Sequence, residues 1–268
     1  MCGHTWRGSW CSWDCWCTTW CLYSTSTAAH ATTRWWWPLS SSPSCATNCC
    51  TPSLSATNCC TPSLSATSLL PQVCMLLSSL YHTLNCRSEE SCRRWLSYDI
   101  FGISASFLAI FLSGIYYGFW CPEYLGVRNT YMALVGCLFL GAMTFLLNPK
   151  LMGSEWDNTR VALFTGWAVS GLLPLAHWMY IHGGFNHGIV QVFLPRIIVM
   201  YIISGAAVFV YLGKIPERYF PGRFDIVGSS HQLWHLIVVA ALIYWHQTGL
   251  LYAKFRLTYG CRADLIDL

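Results

Sequence analysis

The sequence predicts an all-α membrane protein. A polytopic bundle of six transmembrane helices occupies residues 69–260, after a segment of a different kind at 1–68 and before a short tail at 261–268. Three observations carry that prediction. Only 10% of the 268 residues are charged and 54% are hydrophobic, against roughly 25% charged in a soluble domain. The charges fall in short links between apolar runs, and most runs approach the about 20 residues a helix needs to cross a bilayer. Aromatics gather near the run ends, as in GIYYGFW at 114–120 and HWMY at 177–180, where interfacial belts lie. Six such runs argue against a soluble helical bundle. The net charge of +4 is small and its basic residues form no patch with aromatics, so nothing points to nucleic acid as a partner; the lipid bilayer does.

The first 68 residues lack this organisation. MCGHTWRGSWCSWDCWCTTWC is rich in Trp and Cys without a helical or strand period, and ATNCCTPSLS occurs twice in tandem at 46–55 and 56–65. A repeat with Pro and adjacent cysteines is not expected to build a periodic amphipathic element. Three readings stand: a cysteine-rich metal or disulfide module, a disordered extension, or mis-translated text over a tandem repeat. The spacings match no usual zinc pattern. Ten of the sixteen cysteines lie in residues 1–60, and the others form no C-x-x-C pair, so no disulfide framework is expected for the bundle. Residues 1–20 also lack the apolar stretch of a secretory leader.

The expected spans are 69–85, 100–120, 130–147, 161–181, 192–213 and 231–253, with Pro174 expected to kink the fourth. Links 86–99, 148–160 and 214–230 carry Arg87, Arg93, Arg94, Lys150, Arg160, Lys214, Arg218 and Arg223. The links at 121–129 and 182–191, extended to the helix end at Arg196, carry only Arg128 and Arg196. The positive-inside rule therefore places the first set in the cytoplasm. The tail, itself basic with Lys254, Arg256 and Arg262, then lies outside.

Ionisable residues inside spans are costly and invite a functional explanation. His82 closes the first span, Asp99 opens the second, and His231 and His235 open the sixth. Alternation of the spans brings all four to one membrane face. His231 and His235 are one helical turn apart and share a face. H-x-x-x-H suits one tetrahedral zinc, with His82 as third nitrogen donor and a position left for water. Asp99 could be a direct ligand, or could orient a histidine or accept a proton. Ser78, one turn before His82, could hydrogen-bond at the same place. A haem fits less well, because its axial histidines should face each other across two helices. Ser229 or Ser230 would cap the sixth span. His177, His182, His187 and His246 fall near the opposite face and read as interfacial or loop residues.

The stretch IPERYFPGRFDIVGSSHQLWH at 215–235 resembles the signature of the progestin and adipoQ receptor family. PRIIVMYIISGAAVFVYLG at 195–213, YDIFGIS at 98–104 and QVCMLLSSLYHTLNCRSEESCRRW at 72–95 resemble its other helices and first cytoplasmic loop. The resemblance implies a seven-helix fold with zinc near the cytoplasmic side. It implies His82, His231 and His235 as ligands, Asp99 near a zinc-bound water, and Ser78 as the serine of an S-x-x-x-H motif. The family's cytoplasmic N-terminal region and first helix have no counterpart; the Trp/Cys text stands in their place.

Two functional classes follow. One is a receptor-like or scaffold membrane protein that regulates kinase signalling, with Raf kinase as an implied partner and the Golgi membrane as an implied location. The other is a zinc-dependent amidase acting on a ceramide-like lipid, with Asp99 as general base.

Overall fold

The computed structural model describes residues 57–148, 150, 156–224 and 226–261, with side chains from Leu69 onward. The Trp/Cys-rich opening, the first repeat copy and the tail beyond Cys261 lie outside the described residues. Among those described, the chain is helical without strands. The helices are α1 (Thr57–Leu84), α2 (Glu89–Gly118), α3 (Leu125–Leu146), α4 (Asp157–Ser170), α5 (Leu172–Ile181), α6 (Gly188–Gly213) and α7 (Ser230–Tyr259). Helix α1 starts at Thr57, so helical backbone runs through the second repeat copy, where no periodic element was expected. Continuing an adjoining apolar helix requires only helical dihedrals, not an amphipathic period.

Among the described residues, five segments are long and apolar enough to cross a membrane: Glu89–Gly118, Pro122–Leu146, Asp157–Ile181, Gly188–Gly213 and Ser230–Tyr259. The first expected span, 69–85, corresponds to the shorter apolar helix Leu69–Leu84. The helices overrun the apolar stretches because polar and charged turns cap them. Ser88 accepts from the Ser91 amide at the start of α2, and Glu89 and Glu90 fill its first turn, where the helix dipole favours anions. Leu140, Leu173, Ile202 and Phe209 are more than 60% exposed, an outward apolar surface suited to lipid. Length, composition and this surface make the chain a multi-pass membrane protein.

The expected kink is a break. Helix α4 ends at Ser170, Gly171 caps it, and α5 begins at Leu172. Pro174 has no N–H to offer the preceding turn. A Cβ at Gly171 would lie 2.7 Å from the Tyr201 hydroxyl and 2.9 Å from the Phe111 ring, so any larger residue there would have to displace both side chains. Helices α1 and α2 form an antiparallel pair of similar closeness, with Gly102 against the backbone of Cys74. The Ser106 hydroxyl donates to the Leu70 carbonyl across them.

The end of the bundle reached by Gly118 and Tyr259 is tied together by polar groups expected to be an interfacial histidine, His182, and a cation of the external tail, Arg256. Arg256 is 1% exposed. Its Nε donates to the Tyr117 carbonyl and its Nη2 to the Gly118 carbonyl, each at 3.3 Å. These carbonyls belong to the last turn of α2 and have no partner further along the helix. His182, expected to be interfacial, is buried at 3% exposure. Its Nδ1 donates to the Trp178 carbonyl at 2.8 Å, which leaves Nε2 to accept from Arg256 at 3.1 Å. A Cys121–Cys261 disulfide closes the same end over 140 residues, contrary to the expectation of no disulfide in the bundle. Phe119, Trp178, Ile189, Val190 and Phe193 form the apolar core beside it.

Arg256→Met keeps the volume of the side chain and removes these donors. The expected cost is about 2–3 kcal/mol, or roughly a 5–10 °C lower melting temperature, read by thermal unfolding of the purified protein in detergent.

Candidate metal centre

The other end of the bundle gathers the residues picked out by sequence. His82 lies in the last turn of α1, Asp99 in the third turn of α2, and His231 and His235 in the first two turns of α7. The Nε2 atom of His231 is 3.2 Å from that of His82, 149 residues away, and 3.2 Å from that of His235. All three donor atoms lie within 4.8 Å of one another, so the cluster could hold a metal ion.

Hydrogen bonding among the rings does not account for this arrangement. One nitrogen of His231 meets two others and carries at most one hydrogen. Nitrogen donors on a tetrahedral zinc, with bonds of about 2.0–2.1 Å, sit about 3.3 Å apart. The two spacings to His231 match that edge.

Aromatic neighbours hold the rings. Trp234 stacks on His231 with centroids 5.8 Å apart, Tyr211 lies 5.7 Å from His231, and Tyr81 meets His82 edge-on at 4.9 Å. Ser78, Asp99 and His235 are buried, while His82 and His231 are half-buried. The Ser78 hydroxyl faces the Asp99 carboxylate. Ser78 Oγ and one Asp99 oxygen are buried without a well-formed hydrogen bond, so both remain able to bind a further polar group beside the imidazoles.

One cavity of about 600 Å³ starts at this cluster and runs along the bundle. Ser78, His82, Asp99, His231 and His235 line one end, Trp178, Phe193 and Tyr252 the other. Its walls between them are mainly apolar, including Ile110, Phe164 and Val238. Such a volume lies within the range of small-molecule sites. Asp157 and Arg160, an ion pair at the start of α4, also line it.

Sequence reasoning missed Glu217. Ser229 occupies the N-cap position of α7 but makes no side-chain capping bond, contrary to the expected role of Ser229 or Ser230. Glu217 supplies the cap from thirteen residues upstream. Its carboxylate accepts from the Ser230 amide at 2.8 Å and from the Ser230 hydroxyl. This fixes the first turn of the helix that carries His231 and His235, and places a negative charge at the helix N-terminus. The available signal was a carboxylate in a short link between two spans, with nothing in the spacing to name its partner.

Burial pushes the Glu217 carboxyl up, but the Ser230 hydroxyl, the backbone amides and nearby Lys214 together hold it below its ordinary value of 4.5. A depressed carboxyl stabilises the fold above its unfolded pKa and loses that contribution as pH falls through the folded one. Glu217→Gln is therefore expected to lower the melting temperature by a few degrees at pH 7. The gap from the unsubstituted chain should close as pH drops below 4.5, read by thermal unfolding across pH.

The profile of the Haemolysin-III related family matches residues 45–246, a match that begins upstream of residue 69. Progestin and adipoQ receptor family member 3 of Mus musculus is 40% identical over 191 residues, which is 71% of this chain and 61% of that protein. Heptahelical transmembrane protein 4 of Arabidopsis thaliana is 35% identical over 70% of this chain and 48% of its own. The adiponectin receptor protein of Drosophila melanogaster is 30% identical over 70% of this chain and 42% of its own. The chain thus spans about three fifths of the first relative's length and less than half of the other two.

Proposed function

The chain belongs to the haemolysin-III related, or progestin and adipoQ receptor, family, and from that premise we propose that it is a receptor-like membrane scaffold organised around a zinc site at its cytoplasmic face. The observation that carries the zinc assignment is the convergence of three imidazoles, with His231 Nε2 3.2 Å from the Nε2 atoms of both His82 and His235 and all three donors within 4.8 Å of one another. His82, His231 and His235 are the ligands. Asp99 and Ser78 stand behind them as hydrogen-bonding partners for whatever fills the remaining position.

The orientation rests on the basic links, which gather at the histidine end and make that end the cytoplasmic one by the positive-inside rule. Several relatives are named as receptors, which supports a signalling role. The sequence resemblance extends that role to regulation of a kinase such as Raf from the Golgi membrane.

A second reading is favoured by the cavity. An apolar tunnel of about 600 Å³ that begins at a histidine cluster suits a lipid whose polar linkage sits at the cluster and whose hydrocarbon chain follows the tunnel. In this reading the protein hydrolyses a ceramide-like amide. A bound zinc would supply Lewis acidity, acidifying water and polarising a carbonyl. Asp99 takes the proton, the Ser78 hydroxyl beside it offers a further polar contact to the bound group, and the apolar walls keep bulk water from the reacting end.

Metal analysis of the purified chain should give about one zinc per molecule, as expected of a three-histidine site. His82→Ala, His231→Ala and His235→Ala should each lose most of it, and full zinc retention in any of the three would remove that residue from the ligand set. Asp99→Asn separates the two functional readings. With zinc and fold retained, kinase regulation should persist if the protein is a scaffold. Under the amidase reading, ceramide hydrolysis should fall by about 10²–10⁴-fold.

A further inference from the structure

The link joining α6 to α7 is held in shape by bonds that leave its large apolar side chains outside. Arg218 and Tyr219 donate their amides to the carbonyls of Lys214 and Pro216 at 2.8 and 2.9 Å, and Arg223 donates to Phe220 at 3.2 Å. At the far end the Gln232 side chain accepts from the Gly228 amide at 2.7 Å and donates to the Ile226 carbonyl at 3.0 Å. Glu217 fastens the middle to Ser230. Yet Tyr219, Phe220, Ile226 and Val227 are 67, 51, 59 and 65% exposed. An ordered loop does not turn four such side chains to water without something to cover them.

The chemistry around them indicates what does. Lys214, Arg218 and Arg223 are all exposed, and none forms an ion pair within 4.0 Å among the described residues. The segment has two acids, Glu217 and Asp225, and Glu217 is engaged with Ser230. The outward chemistry is therefore aromatic and aliphatic groups interleaved with surplus cations, on a loop whose two ends enter membrane-spanning helices. Cations of this kind meet phosphates, and Tyr and Phe sit well at the depth of the headgroups.

We propose that the 214–229 link is an anionic-phospholipid-binding element. Tyr219, Phe220, Ile226 and Val227 enter the interfacial layer of the protein's own membrane, and Lys214, Arg218 and Arg223 hold the headgroup phosphates and carboxylates. Its bonds to Ser230 and Gln232 make this lipid seat continuous with the first turn of α7.

The test uses the full chain in lipid nanodiscs carrying a photoactivatable phosphatidylserine or phosphatidylcholine probe, with cross-links mapped by peptide mass spectrometry. The serine probe should label 214–229 well above the choline probe. The excess should fall by about five-fold for each cation replaced in the series R218Q, R218Q/R223Q and K214Q/R218Q/R223Q. Tyr219→Ser with Phe220→Ser should lower labelling by both probes. Equal labelling by the two probes, or an excess that survives the triple substitution, overturns the proposal.

Discussion

Three imidazole nitrogens turned toward one point repel one another unless a cation or shared protons lie between them, and here they come from helices at opposite ends of the described chain. Holding the His231 nitrogen 3.2 Å from those of both His82 and His235 requires the end of α1 and the start of α7 to be fixed to within a fraction of an ångström. Much of the bundle can be understood from that requirement. The tight α1–α2 contact at Gly102 and Cys74 sets where α1 stops. The Glu217 cap sets where α7 begins. Trp234, Tyr211 and Tyr81 restrict how the rings turn. A soluble protein could bury such a cluster under loops. In a membrane bundle, regular helices bear the task because an unsatisfied backbone is too costly at that depth.

Helix α7 carries both ends of the molecule. Its first turns hold two of the three imidazoles, and its last turns hold Arg256, which closes the end of α2 through the Tyr117 and Gly118 carbonyls. The cavity lies between these anchored ends. A helix pinned at both termini can present a rigid donor set at one end while the wall facing the cavity stays apolar. That division suits either reading of the protein. A scaffold uses the rigidity to relay a state between faces, and an amidase uses it to keep a reactive centre dry.

The helical architecture was legible because apolar runs and charged links are statements about the bilayer, which every span meets in the same way. The association of His82, Asp99, His231 and His235 was legible for a related reason: alternation of spans fixes depth whatever the packing. What the sequence hid depends on lateral packing or on loops. The Cys121–Cys261 bond joins a link and a tail that the alternation already placed on one side, but no spacing rule relates them. His182 resembled an ordinary interfacial residue and Arg256 an ordinary tail cation because only the closed end of α2 gives them work. The break at Gly171 needed Tyr201 and Phe111, both distant in sequence. Helical backbone at Thr57–Ser68 was hidden by a repeat whose composition argues for irregular chain.

The central claim is that the three histidines share one metal ion. X-ray absorption spectroscopy at the zinc edge of the purified, zinc-loaded chain tests it directly. A site of three imidazole nitrogens and one oxygen, with bonds at about 2.0–2.1 Å, is the result expected. A sulfur shell at about 2.3 Å, or a spectrum with fewer than three imidazoles, would contradict it and leave the histidine cluster without the role assigned to it.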